Sequence, residues 1–159
     1  MGLPIMVLLA AVCAAQQNSP ESSPRKADQA INPELQQRAD QASGAECAQL
    51  SMRAARQELE YADRLFLNGS TQAAHAAIDV SMHYAQRSVE CTLQSRKHQK
   101  AAEIELRGFI RRMNDVSRTL DSEDRQHLTQ VLAELEKQRD RLLQSIFGPA
   151  AANSREKTQ

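Results

Sequence analysis

Apolar residues recur along this chain at steps of four and three, the spacing that gathers side chains on one face of an α-helix. Ala48, Met52, Ala55, Leu59, Ala62 and Phe66 keep that rhythm without a slip. Ser43 precedes the run with Glu46 three residues later, a capping-box pattern in which the two side chains satisfy free N–H groups of the first turn. Asn68-Gly69-Ser70 ends it, because Gly and Asn tolerate the left-handed conformation that closes a helix. Ser70 or Thr71 is placed to cap the next helix.

A second run opens at Ala74 and holds the same heptad phase through Ile78, Ser81, Ala85, Ser88 and Thr92. It turns polar at Ser95 and Gln99, then resumes in Ala102, Leu106, Phe109, Met113, Val116 and Leu120. No Pro interrupts residues 71–120, so the spacing predicts one helix about 75 Å long at the standard rise. Asp121-Ser122 closes it and caps a third run, Leu128, Leu132, Leu135, Leu142 and Ile146, with Arg139 as the one charged member of its seam. Gly148-Pro149 stops that helix. A short helix from Pro33 to about Ala42 has Pro in its first turn, where a missing N–H does no harm.

The turns determine which residues face each other. Folding the chain at Gly69 brings Cys47, 22 residues before it, level with Cys91, 22 residues after it. We therefore expect a Cys47–Cys91 disulfide, worth about 4 kcal/mol through loop closure. Folding between Leu120 and Asp121 sets Leu106 against Leu135, Phe109 against Leu132 and Met113 against Leu128. The expected fold is all-α: antiparallel helical hairpins sharing a long central helix. The alternative is a compact four-helix bundle, reached if the central helix breaks near Gln94–Lys100, a stretch that contains no strong breaker.

The ends of the chain read differently. Leu3 to Ala15 is almost wholly apolar and gives way to Gln16-Gln17-Asn18. This is the pattern of a signal peptide over residues 1–15, too short for a membrane span and lacking the usual cation before its apolar core. Such a signal sends the chain to the periplasm or outside the cell, where a disulfide persists. Lipid anchoring through Cys13 is the alternative, with Val12 in the place of the small residue that such anchoring favours. Residues 16–30 are rich in Ser, Pro, Gln and charge and read as a disordered linker; residues 149–159 read as a flexible tail. The helical domain is then 31–148.

Composition narrows the function. With 20 basic and 20 acidic residues, the chain has no net charge to draw it to nucleic acid. With no Trp and few other aromatics, its cores are thin seams rather than thick centres. No nucleophile elbow, phosphate-binding Gly loop, HExxH or CxxC occurs, so no enzyme and no cofactor is expected. His75, Asp79 and His83 share one helical stripe and are candidate metal ligands, although the two histidines lie about 12 Å apart along the axis and would need ligands from another helix. Arg96-Lys97-His98 with Lys100 is a small basic cluster on a charged helix face.

Tyr61-Ala62 through Ala85 looks a little like one tetratricopeptide hairpin, but no second copy occurs at the expected period. Leu120-Asp121-Ser122-Glu123-Asp124-Arg125, leading to Leu142-Leu143 and Phe147, is similar to the ends of uncharacterised secreted all-helical proteins of acidobacterial type. That resemblance covers about a quarter of the chain and implies helices without implying an activity. The expectation is an exported helical structural or interaction protein whose partner is another protein or a second copy of itself. A periplasmic metal-binding or chaperone-like helical module is the alternative.

Overall fold

A computed structural model describes residues 33–148. Residues 1–15, read above as a signal peptide, residues 16–30, read as a linker, Cys13 among the former, and residues 149–159, read as a tail, lie outside the described residues. Within them the chain forms five helices and, among the described residues, no strand: α1 (Pro33–Gln41), α2 (Gly44–Leu67), α3 (Thr71–Ser95), α4 (Gln99–Thr119) and α5 (Ser122–Phe147). The all-α expectation holds, and so does the short first helix.

The α2–α3 hairpin is built from small residues. Ala55, Ala62, Ala74, Ser81 and Ala85 are fully buried, so little side-chain bulk keeps the two axes apart. The approach is close enough for Ser81 Oγ to donate to the Ala55 carbonyl at 2.7 Å and for Ser88 Oγ to donate to the Ala48 carbonyl at 2.8 Å. Thr92 Oγ1 turns back on its own helix, donating to the Ser88 carbonyl at 2.8 Å. Each of these three hydroxyls thereby has a carbonyl partner, which is why a seam this polar survives desolvation. Cys47 and Cys91 meet in the same hairpin as a disulfide, with Cα atoms 6.0 Å apart.

The continuous central helix is not observed. The chain leaves helical geometry at Arg96 and resumes at Gln99, with both Arg96 (φ 53°) and His98 (φ 56°) in the left-handed region. Ser95 takes part locally: its hydroxyl donates to the Thr92 carbonyl at 3.2 Å and accepts from the Lys97 N–H at 3.4 Å, a side-chain alternative to the helical ladder. The larger cause is burial. The polar stretch has no apolar face to hold it in register, and bending there folds the second hairpin onto the first. The compact four-helix arrangement is therefore the one adopted.

Its topology is read from the ion pairs. Arg56 with Glu105 and Asp63 with Arg112 keep a constant separation of 49 residues, so α2 and α4 run parallel. His75 with Asp124 and Asp79 with His127, 49 and 48 residues apart, show that α3 and α5 are also parallel. In the second hairpin Glu103 meets Arg139 at 3.0 Å, within one residue of the register that sets Leu106 against Leu135. Leu106, Phe109, Met113, Leu128 and Leu135 all lie in the common core, with Leu132 packed on its margin.

Helix ends follow the sequence less closely. Asp121 caps α5, accepting from the N–H groups of Glu123 and Asp124. Ser43 is the N-cap residue of α2 but makes no side-chain cap bond, so the capping box with Glu46 does not form. Gly44 adopts a positive φ there to turn the chain out of α1. Ser70 likewise precedes α3 without a side-chain cap.

Two measurements test this picture. The disulfide closes a loop of 44 residues, so a Cys47→Ser, Cys91→Ser variant should lose about 4 kcal/mol in urea unfolding while keeping its helical signal; a loss under about 1 kcal/mol counts against the linkage. Arg96→Gly should gain about 0.5–1 kcal/mol, because Gly carries no steric cost in the left-handed region; a loss would mean that the break is not held there.

Candidate functional site

Helix α3 carries the histidine stripe singled out in the sequence, and the structure divides it. His75 Nε2 lies 3.1 Å from Asp124 Oδ1, and His127 Nε2 lies 3.0 Å from Asp79 Oδ1. The two imidazoles come together with ring centroids 4.6 Å apart and planes tilted by 36°. Both nitrogens are buried and stand at ion-pair distance from a carboxylate, yet outside hydrogen-bond alignment. His83 takes no part; it is exposed and sits edge-on to the Tyr84 ring. The structure thus does not bring His75, Asp79 and His83 together, and among the described residues no three His, Cys, Asp or Glu side chains are disposed to share a metal ion. The cluster is a clasp between α3 and α5, with the edge of Phe66 against His75 closing one side.

A second polar cluster fixes α1. Helix α2 is buried on two faces, and the second one, with Leu50, Ala54 and Glu58, adjoins Leu35 and Ala39 of α1 in the core. Glu58 is only 5% exposed and accepts a single hydrogen bond from Gln36 Nε2, at 3.3 Å. Burial pushes its carboxyl up to about 7, because the desolvated charge is poorly compensated. Arg87 of α3 donates to the Ala39 and Asp40 carbonyls, the second at 2.9 Å, and so covers the C-terminal end of α1. The Tyr84 hydroxyl donates to Asp40 at 3.4 Å, and its own burial, reinforced by that carboxylate, raises its pKa.

Concave surface lies near the break. A small cleft of about 100 Å³ opens beneath Lys97 and His98, floored by Ala45, Ala48 and Ala102. A wider trough of about 430 Å³ runs along the outer side of the α4–α5 hairpin between Lys100, Ile104 and Arg107 on one wall and Arg139, Leu143, Ile146 and Phe147 on the other. Ile104 is 56% exposed and Phe147 60%, and they border the same trough. Leu67, at 80%, stands alone beside the Gly69 turn. Large apolar side chains exposed together on one concave strip mark a contact surface more clearly than one exposed singly. Glu103 lies at the floor, held by Arg139 at 3.0 Å and Arg107 at 3.6 Å.

No helix among the described residues is long and apolar enough to cross a membrane. Comparison with protein-family models, curated proteins and solved structures finds no match.

Sequence reasoning missed Asp124 and His127 as partners of the stripe, since the parallel pairing of α3 with α5 emerges only once the central helix bends. It also missed that Glu58 is buried and that Ile104 is exposed. Glu58 stands four residues from Ala54 and eight from Leu50, a faint signal for a second buried face. Ile104 falls off the Ala102–Leu106 seam, and an apolar residue off a seam is the clue to an outer contact.

The sign of the Glu58 effect is set by its raised value. The folded chain binds the proton more tightly than the unfolded one, so the stability Glu58 allows is full below pH 4.5 and is lost as pH rises through about 7. Glu58→Gln should flatten the stability profile between those limits and make the chain more stable than the parent above pH 7. An unchanged slope would mean that Glu58 is not desolvated in solution.

Proposed function

We propose that this chain is an exported helical interaction protein that performs no catalysis and works through the trough on the α4–α5 hairpin. The single observation behind this reading is the shared exposure of Ile104 and Phe147 on one concave apolar strip, in a bundle that buries its other seams well. Leaving such side chains in water costs free energy, on the order of 1.5–3 kcal/mol for each one that a partner would bury. Export is supported by the apolar segment Leu3–Ala15 and by the Cys47–Cys91 disulfide, a linkage that the cytosol does not favour. The periplasm or the cell exterior is the compartment these two features fit.

The rigid frame suits the role. The disulfide and the Ser–carbonyl bonds lock the first hairpin, and the His–Asp clasp and the α2–α4 ion pairs set the second against it. The strip is thereby presented on two helices rather than on loops, so a partner meets a surface already in place.

Photo-crosslinking in the native host tests the reading. A benzophenone side chain at position 104 or 147 should give a discrete adduct, and one at exposed Arg53, on a polar helix face, should not. Equal labelling from all three positions would remove the strip from the account. Intact mass of the recovered chain tests the export component: it should lack the first fifteen residues and gain two hydrogens on reduction.

A further inference from the structure

The trough is lined by the apolar side chains Ile104, Leu143, Ile146 and Phe147 and is positive along its α4 rim, and the two properties together select a partner. Its lining holds three cations, Lys100, Arg107 and Arg139, and one carboxylate, Glu103; Arg139 is itself held by Glu103 and by Glu136 at 3.3 Å, so the positive charge left to the rim is on the α4 wall. Glu103 is nearly buried and already engaged by Arg139 and Arg107, so it presents little negative charge to an incoming surface. Lys100 takes part in no ion pair among the described residues, and neither does Arg111, which lies four residues beyond Arg107 on the same stripe of α4. Lys100, Ile104, Arg107 and Arg111 thus form a ridge at steps of four, three and four, about 16 Å long at the helical rise. The chain as a whole carries no net charge, so this positive edge is a local feature.

Resting on the reading of the strip as a contact surface, we infer that the trough receives an acidic amphipathic helix from another protein. An apolar ridge of such a helix covers Ile104, Leu143 and Phe147, and its flanking Asp or Glu residues meet Lys100, Arg107 and Arg111. A helix in a groove is the form that fits, because the walls are themselves two antiparallel helices, α4 and α5. The ends of this chain do not supply it. Leu3–Ala15 is apolar and uncharged, while residues 16–32 and 149–159 carry no apolar ridge. A second copy of the bundle offers the same positive edge and would set like charges together. The cations contribute selectivity and a faster encounter; the apolar contact supplies most of the affinity.

Two synthetic helical peptides of about five turns, with one shared Leu/Ile ridge and either Glu or Lys beside it, test this by fluorescence anisotropy against the full oxidised chain. The acidic peptide should bind about tenfold more tightly at low salt and lose that margin as ionic strength rises. Lys100→Glu with Arg111→Glu should abolish or reverse the preference; both side chains are exposed, and Arg111→Glu alone serves if the double variant loses helicity. Ile104→Glu with Phe147→Glu should abolish binding of both peptides. Equal binding of the two peptides, still lost with Ile104→Glu, overturns the acidic partner and leaves the contact surface standing. Dimerisation in sedimentation, or adhesion to phosphatidylglycerol vesicles, lost with Phe147→Glu and without any peptide preference, names a different occupant and overturns the inference. No binding of either peptide by a chain that is also monomeric and vesicle-free removes both the inference and the reading it rests on.

Discussion

Two helices faced with Ala and Ser can lie closer than two faced with Leu, and the bundle depends on that proximity between α2 and α3. The closeness lets Ser81 and Ser88 reach carbonyls on the opposite helix, which in turn makes it tolerable to bury hydroxyls in the seam. It also brings Cys47 and Cys91 within reach of a covalent link near the far end of the hairpin from its turn. Turn, small-residue seam and disulfide fix the hairpin at three levels. The other helices have a firm surface to pack on.

The break at Arg96–His98 is the second constraint. A straight helix through that stretch would have left the α4–α5 pair with a core of only two helices. Bending there costs two residues in left-handed geometry, roughly 1–2 kcal/mol each in the general case. The return is a core shared by four helices, in which Leu106, Met113, Leu128 and Leu135 become fully buried. The bend also aligns α3 with α5 and α2 with α4, creating the His–Asp clasp and the two ion pairs of constant offset. The α2–α4 pairs are partly exposed and set register more than they add stability.

The bundle leaves two regions less settled than the rest. Helix α1 buries only Leu35 and Ala39 and is held by polar contacts, among them a carboxylate that burial pushes towards its neutral form. The outer side of α4–α5 keeps Ile104 and Phe147 in water above a floor where Glu103 is neutralised by two arginines. The first region is a place where pH acts on the fold. The second is where the fold leaves large apolar side chains exposed together.

The local pattern of residues determined the helices, their turns and the pairing within each hairpin. Periodicity and the residues at Asn68–Ser70 and Asp121 act over a few positions, and the height of a residue along a helix comes from counting. That is why Cys47 with Cys91, and Leu106 against Leu135, were legible in the chain itself. Tertiary structure alone decided how the hairpins meet. Gln94–Lys100 contains no residue that forbids a helix, and the bend exists because burial of two distant seams outweighs a local cost. Asp124, His127, Glu58 and the trough depend on which faces that bend brings together. No spacing within one helix records a contact made with another.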